Sequence, residues 1–146
     1  MTYYLGIDPG KQGALCVLDD DGMTVQAHDM PDTTAALHDL VSSLPMIKAA
    51  LLEKPFFPRM IGINNAVKIA QAYGTLTGAL AWRSIPVREV TPSDWKAKLG
   101  LSSVKAASRE KATMYFPDNA DQWKRAKDDG RAEAALLAWL AREKFN

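Results

Sequence analysis

The sequence predicts an α/β fold built on a five-stranded mixed sheet flanked by helices. Two observations carry that expectation. The first 30 residues alternate short apolar runs with tight-turn signals, the pattern of antiparallel hairpins. From there, helical spacing alternates with short apolar runs, the pattern of βα units, before three helices end the chain.

Each element has a local reason. Residues 4–7 are apolar around Leu5 and Ile7 and run into Asp8-Pro9-Gly10-Lys11-Gln12-Gly13, a turn-rich stretch. A second strand covers 14–18, and Asp19-Asp20-Asp21-Gly22 turns it into a third over 23–30. These three strands form an antiparallel meander. Asp32-Thr33-Thr34 can cap a helix running to about Ser43. Residues 46–53 are largely apolar and end in Glu53, as suits a buried parallel strand. Lys54-Pro55-Phe56-Phe57-Pro58 breaks the pattern. Residues 64–83 place Val67, Ala70, Tyr73, Leu76 and Leu80 at helical spacing. A short strand follows at 85–90. Thr91-Pro92-Ser93-Asp94 then opens a helix, with Pro92 suited to its first turn. Helices over 102–116 and 128–144 complete the order βββαβαβααα.

The bulk numbers narrow the class. A chain of 146 residues fits one domain, 1–146, able to bury its own core. The single cysteine, Cys16, sits in an apolar run and cannot form an internal disulfide. No apolar run approaches the ~20 residues of a membrane helix, and the N-terminus lacks the pattern of a signal peptide. A cytoplasmic protein with no membrane partner is expected. Charge is uneven. Residues 1–53 hold Lys11 and Lys48 against eight acids, whereas the remainder holds 16 bases and nine acids. The C-terminal part is therefore the one suited to a polyanion.

Three placements of acids carry the chemistry. Asp8 directly follows the buried first strand. Glu53 ends the apolar fourth strand, which this topology sets parallel beside the first. Asp129 and Glu133 are spaced i, i+4 on one face at the start of the last helix. Carboxylates at buried strand ends are costly unless paired or bound to a metal, and clustered carboxylates raise one another's pKa. Divalent cations resolve that conflict. An all-oxygen set favours Mg²⁺ or Mn²⁺, and two histidines with one cysteine offer no zinc cluster. The plainer readings are a turn cap for Asp8, an ion pair of Glu53 with Lys54 or Arg59, and a helix-dipole pattern for Asp129 and Glu133. All three placements together argue against them. Asp128 is the adjacent competitor for the role of Asp129.

Gly6-Ile7-Asp8-Pro9-Gly10, Gly13-Ala14, Leu52-Glu53-Lys54-Pro55 and Asp129-Gly130-Arg131-Ala132-Glu133-Ala134, in that order, resemble the RuvC-like Holliday junction resolvases, most of all the short bacteriophage and prophage members. The resemblance covers nearly the whole chain and implies a ribonuclease H-like fold. It implies Asp8, Glu53, Asp129 and Glu133 as ligands of Mg²⁺ (or Mn²⁺), with cleavage of branched DNA and four-way junctions in a bacterial host cell. One departure is the final pair: the cellular enzymes usually carry two aspartates spaced i, i+3. The family is homodimeric, and residues 64–83, with Ala66, Ala70, Ala72, Gly74 and Gly78, resemble its dimer helix.

DNA contacts follow from the same reading. Phe56 and Phe57, beside Lys54 and Arg59, can stack on unpaired bases while the cations hold phosphates. Lys11 lies in the first turn. Trp95, Lys96, Lys98, Lys105, Ser108 and Arg109 lie on the helices after the fifth strand, and Lys96 and Lys105 best match the family's basic residues near the scissile phosphate, Lys105 with a catalytic role. Lys124, Arg125 and Lys127 are further candidates. Three other functions compete: a sugar-kinase or actin-like ATPase, which needs two lobes and more chain; a ribonuclease H-like nuclease acting on RNA or RNA–DNA hybrid; and a non-catalytic module that binds branched DNA.

Overall fold

The computed structural model describes residues 1–145, apart from the side chains of Lys105 and Phe145. Five strands form one sheet: β1 (Tyr3–Asp8), β2 (Ala14–Asp19), β3 (Val25–Asp29), β4 (Ile47–Glu53) and β5 (Val87–Val90), in the order β3-β2-β1-β4-β5. The pairs β1–β2 and β2–β3 are antiparallel, and β1–β4 and β4–β5 are parallel. The expected mixed sheet, a meander completed by βα units, is the one observed.

Among the described residues, five α-helices flank the sheet: α1 (Thr34–Ser43), α2 (Ile63–Trp82), α3 (Pro92–Lys98), α4 (Lys105–Tyr115) and α5 (Asp129–Phe145). Their starts follow capping chemistry. Thr33 accepts a hydrogen bond from the Ala36 amide, and Thr91 accepts one from the Asp94 amide, with Pro92 in the first turn. Two 3-10 stretches, Pro117–Trp123 and Ala126–Asp128, join α4 to α5. The sequence pattern extends β3 and α4 further than the structure does. β3 starts only at Val25, because Asp19 and Asp21 accept from the Met23 and Thr24 amides and prolong the turn. α4 starts at Lys105, because the Ser102 hydroxyl accepts from the Val104 amide and holds a turn ahead of it.

Strand alternation builds two cores. Leu5, Ile7, Leu15, Ala50 and Leu52 face α1 and α2. Tyr4, Cys16, Ala49 and Leu51 face α5, together with Trp95, Phe116 and Trp123. Cys16 is fully buried there and its thiol donates to the Arg131 carbonyl, as a small core residue should.

The approach of α5 to the sheet positions the rest. A Cβ at Gly6 would overlap the backbone of Ala134 and Ala138, and one at Gly130 would overlap the Gln12 carbonyl. Both glycines exist for that contact. Ala134, Ala138 and Ala141, on the same stripe as Gly130, leave α5 an equally thin face, fully buried. We predict that Gly6→Ala costs ~2–4 kcal/mol by overpacking backbone against backbone, read from chemical denaturation.

Candidate active site

Register and alternation bring the acids together. Ile7 pairs with Leu52, so Asp8 and Glu53 end two adjacent parallel strands side by side. Asp8 shares its face with Tyr4 and Gly6, and Glu53 shares its face with Ala49 and Leu51, so both carboxylates turn toward α5. The first turns of α5 meet them there with Glu133, which is buried. Oxygen atoms of Asp8, Glu53 and Glu133 all lie within 4.8 Å of one another.

Neighbouring side chains hold this trio in place. The Trp95 indole N–H donates to Glu53 Oε2 at 2.5 Å, with the ring fully buried beneath β5. Lys96 Nζ lies 3.2 Å from Glu133 Oε1 and over the Trp95 ring. The Ser108 hydroxyl donates to the same Glu133 oxygen at 3.4 Å. The Asp8 and Glu53 carboxyl groups lie within hydrogen-bonding reach of each other. Burial, reinforced by Glu53 and Glu133, pushes the Asp8 carboxyl up to about 9. Burial also raises Glu53, against the opposing pull of the Trp95 hydrogen bond.

A divalent cation fits this donor set. The ligands are carboxylate oxygens, and like charges are crowded where burial limits their solvation. A compact cation would offset their mutual repulsion.

The other expected residues fall in several places. Asp129 stands outside the trio, one turn before Glu133. Its Oδ1 accepts from Arg109 Nε at 2.7 Å, so Arg109, expected on phosphate, is engaged with an acid. Asp128 is turned away from the site. Its carboxylate accepts from Arg125 Nε and Nη2, each at 3.0 Å, and from the Arg125 amide, which holds it below the ordinary range. Arg131, on the same side, pairs with Asp29. Lys124 pairs with Asp121. Lys96, also expected on phosphate, reaches Glu133 instead. Lys11, Arg59, Lys98 and Lys127 are exposed. Phe56 is 74% exposed and Phe57 44% exposed on the loop after Glu53. Lys105 opens α4, and its side chain lies outside the described residues.

The sequence sets Trp95 and Ser108 only among the residues of the two helices that could face DNA, whereas the structure places them on Glu53 and Glu133. Position is the signal for Trp95: it lies five residues after Val90, the register partner of Glu53. A buried indole N–H must also find an acceptor, and a strand-end carboxylate is a natural one.

Asp8 has a raised folded-state pKa, so its protonated form favours the fold. That contribution is complete below about 4, its ordinary value being 3.8, and is lost as pH rises toward 9. We therefore predict that metal-free protein melts at lower temperature as pH rises from 5 to 9. Asp8→Asn should flatten this dependence and raise the metal-free melting point at pH 8 by about 2–8 °C, equivalent to ~1–2 kcal/mol. Thermal scans with chelator present would check both.

Comparison with known proteins bears on the fold. Neither family models nor curated proteins match the sequence. Among solved structures, Thermus thermophilus RuvC in complex with Holliday junction substrate aligns at 18% identity, with a TM-score of 0.66, over 95% of this chain and 91% of that one. A second Thermus thermophilus RuvC structure aligns at 20% identity, with a TM-score of 0.64, over 97% of this chain and 96% of that one. The protein thus has the ribonuclease H-like fold of RuvC, with three acids gathered where β1 and β4 end beneath α5.

Proposed function

We propose that residues 1–146 are one nuclease domain, an endonuclease that resolves Holliday junctions and related branched DNA by metal-dependent phosphodiester hydrolysis. The observation that carries this reading is the trio of half-buried Asp8 and Glu53 with buried Glu133, their oxygens within 4.8 Å of one another. Its setting supports the substrate class, since the RuvC of like fold is bound to a Holliday junction. In motif the chain resembles the short phage-type members.

Asp8, Glu53 and Glu133 would hold Mg²⁺ or Mn²⁺, with Asp129 as a fourth ligand on the same helix. Such an ion supplies Lewis-acid stabilisation of the charge that builds on the phosphate during hydrolysis. The chain's own groups then have definable tasks. The Trp95 N–H fixes the direction of the Glu53 carboxylate. Lys96, at the rim beside Glu133, provides a cation for the phosphate as its charge grows. Arg109 holds Asp129 in orientation. Phe56 and Phe57 would stack on bases left unpaired at a branch point, while Lys11, Arg59, Lys98 and Lys105 hold backbone phosphates.

A homodimer belongs to this reading. Only Leu76 and Leu80 of the 20-residue α2 are buried, while Ile63 and Val67 at its start are exposed. Two copies related by a twofold axis would match two symmetric cuts.

The test is cleavage of a synthetic four-way junction with Mg²⁺ or Mn²⁺, beside linear duplex, fork and RNA–DNA hybrid. Preferential cutting of the junction is expected, and equal or better cutting of the hybrid would overturn the reading. Asp8→Asn and Glu53→Gln should each lower the cutting rate by at least ~10³-fold while junction binding survives. Retained cutting in both would sink the metal assignment. Light scattering should give a dimer at micromolar concentration.

A further inference from the structure

A second cleft lies beside the carboxylate trio, on the α5 side of the sheet. It has a volume of about 570 Å³ and is walled by β5, α3 and the last turns of α5. Four cations line it: Lys54 from the loop after β4, Arg88 from β5, Lys98 from the end of α3 and Lys144 from the end of α5. Asp94 is the acid that faces Lys144. Glu89 also borders the cleft, but strand alternation turns its side chain to the opposite face, where it raises the Tyr73 phenol.

These cations come from four separate elements, and the fold presses them together. The Lys144 ammonium lies beside that of Lys98 in the cleft. That proximity, then burial, then Arg88 hold it below its ordinary pKa. Like charges gathered in one concavity raise the local potential and favour an anion there. The cleft is also continuous with the site. Trp95, which holds Glu53, forms part of its wall, and Lys54 directly follows Glu53.

The α5 helix sets the spacing. Glu133, Leu137, Leu140 and Lys144 follow one stripe, and Leu140 floors the cleft. Eleven residues at ~1.5 Å each put Lys144 about 16 Å along the axis from Glu133. A duplex covers that distance in about five base-pair steps of ~3.4 Å.

Building on the nuclease reading, we infer that this cleft grips the phosphodiester backbone of a DNA arm, about five base pairs from the phosphate at the carboxylate trio, with Lys98 and Lys144 as its main contacts. The grip serves affinity and register, since phosphate contacts position a duplex without reading its sequence. It makes no demand on the chemical step.

The double variant Lys98→Ala/Lys144→Ala tests this in the full-length protein. Both side chains reach solvent, so their loss spares the core. Junction binding is measured by titration at several salt concentrations with Ca²⁺ in place of Mg²⁺, and cutting is measured at saturating DNA. Losing two phosphate contacts should lower the slope of log affinity against log salt by about 2 and weaken binding by at least ~10-fold at 0.1 M salt. Lys48→Ala serves as the control for plain net charge, because Lys48 is exposed at the far end of β4. A double variant whose slope and affinity match wild type, or shift no more than the control, overturns the inference. So does a wild-type protein that binds no DNA. If wild type binds junctions without cutting them, the nuclease reading fails, and the salt slopes still decide the cleft.

Discussion

The backbones of α5 and β1 meet in direct contact, and the site depends on it. Gly6 and Gly130 have no Cβ to hold the two elements apart, and the alanine face of α5 adds almost no thickness. Helix and sheet therefore meet closer than ordinary side chains would allow. That proximity lets a glutamate one turn into α5 reach carboxylates at the ends of β1 and β4. The buried alanines offer little area each, so the packing is tight rather than extensive. Trp95, Phe116 and Trp123 fill the volume around them and supply the apolar bulk of that face.

The fold treats its acids in two ways. Asp29, Asp128 and Asp129 each meet an arginine, and Asp29 and Asp128 are held below the ordinary range by theirs. Asp8 and Glu53 are instead pushed up, by burial first and by other carboxylates after it. Lys96 reaches Glu133 and so offsets only part of the trio's charge. The strain of crowded like charges is thus concentrated where β1 and β4 end. Such strain is the usual signature of a working site. Packing of α5 holds the conflict in place, and a bound cation would relieve it.

Much of the architecture was legible because its signals are local. Threonine caps, a proline at a first turn, and aspartate–glycine turns mark element ends within a few residues. The errors are local too. The start of β3 moved because aspartate side chains competed for its first amides, and the start of α4 moved because Ser102 did the same. The 3-10 stretch Pro117–Trp123 has no period that a pattern can register over so short a length. Among the acids, Asp8 and Glu53 could be singled out because an acid at the end of an apolar strand is conspicuous in one dimension. The roles of Trp95 and Ser108 could not, since a tryptophan or serine on a helix face reads as core or surface until its partner is known. Those partners lie 42 and 25 residues away.

The sequence by itself determined the order of elements, the parallel neighbours β1 and β4, and the placing of two acids at their ends. Each rests on chemistry spanning a few residues, with the sheet's period of two fixing the faces. Only the tertiary structure decided which acid of the last helix joins them. Helical spacing puts Asp129 and Glu133 on one face, but the seat of α5 on Gly6 brings Glu133 to Asp8, and Arg109 on α4 claims Asp129. It also decided where the cations gather. A charge count places the excess of bases in the later part of the chain. Gathering Lys54, Arg88, Lys98 and Lys144 around one cleft takes four elements meeting at a sheet edge, a distance relation that no linear pattern contains.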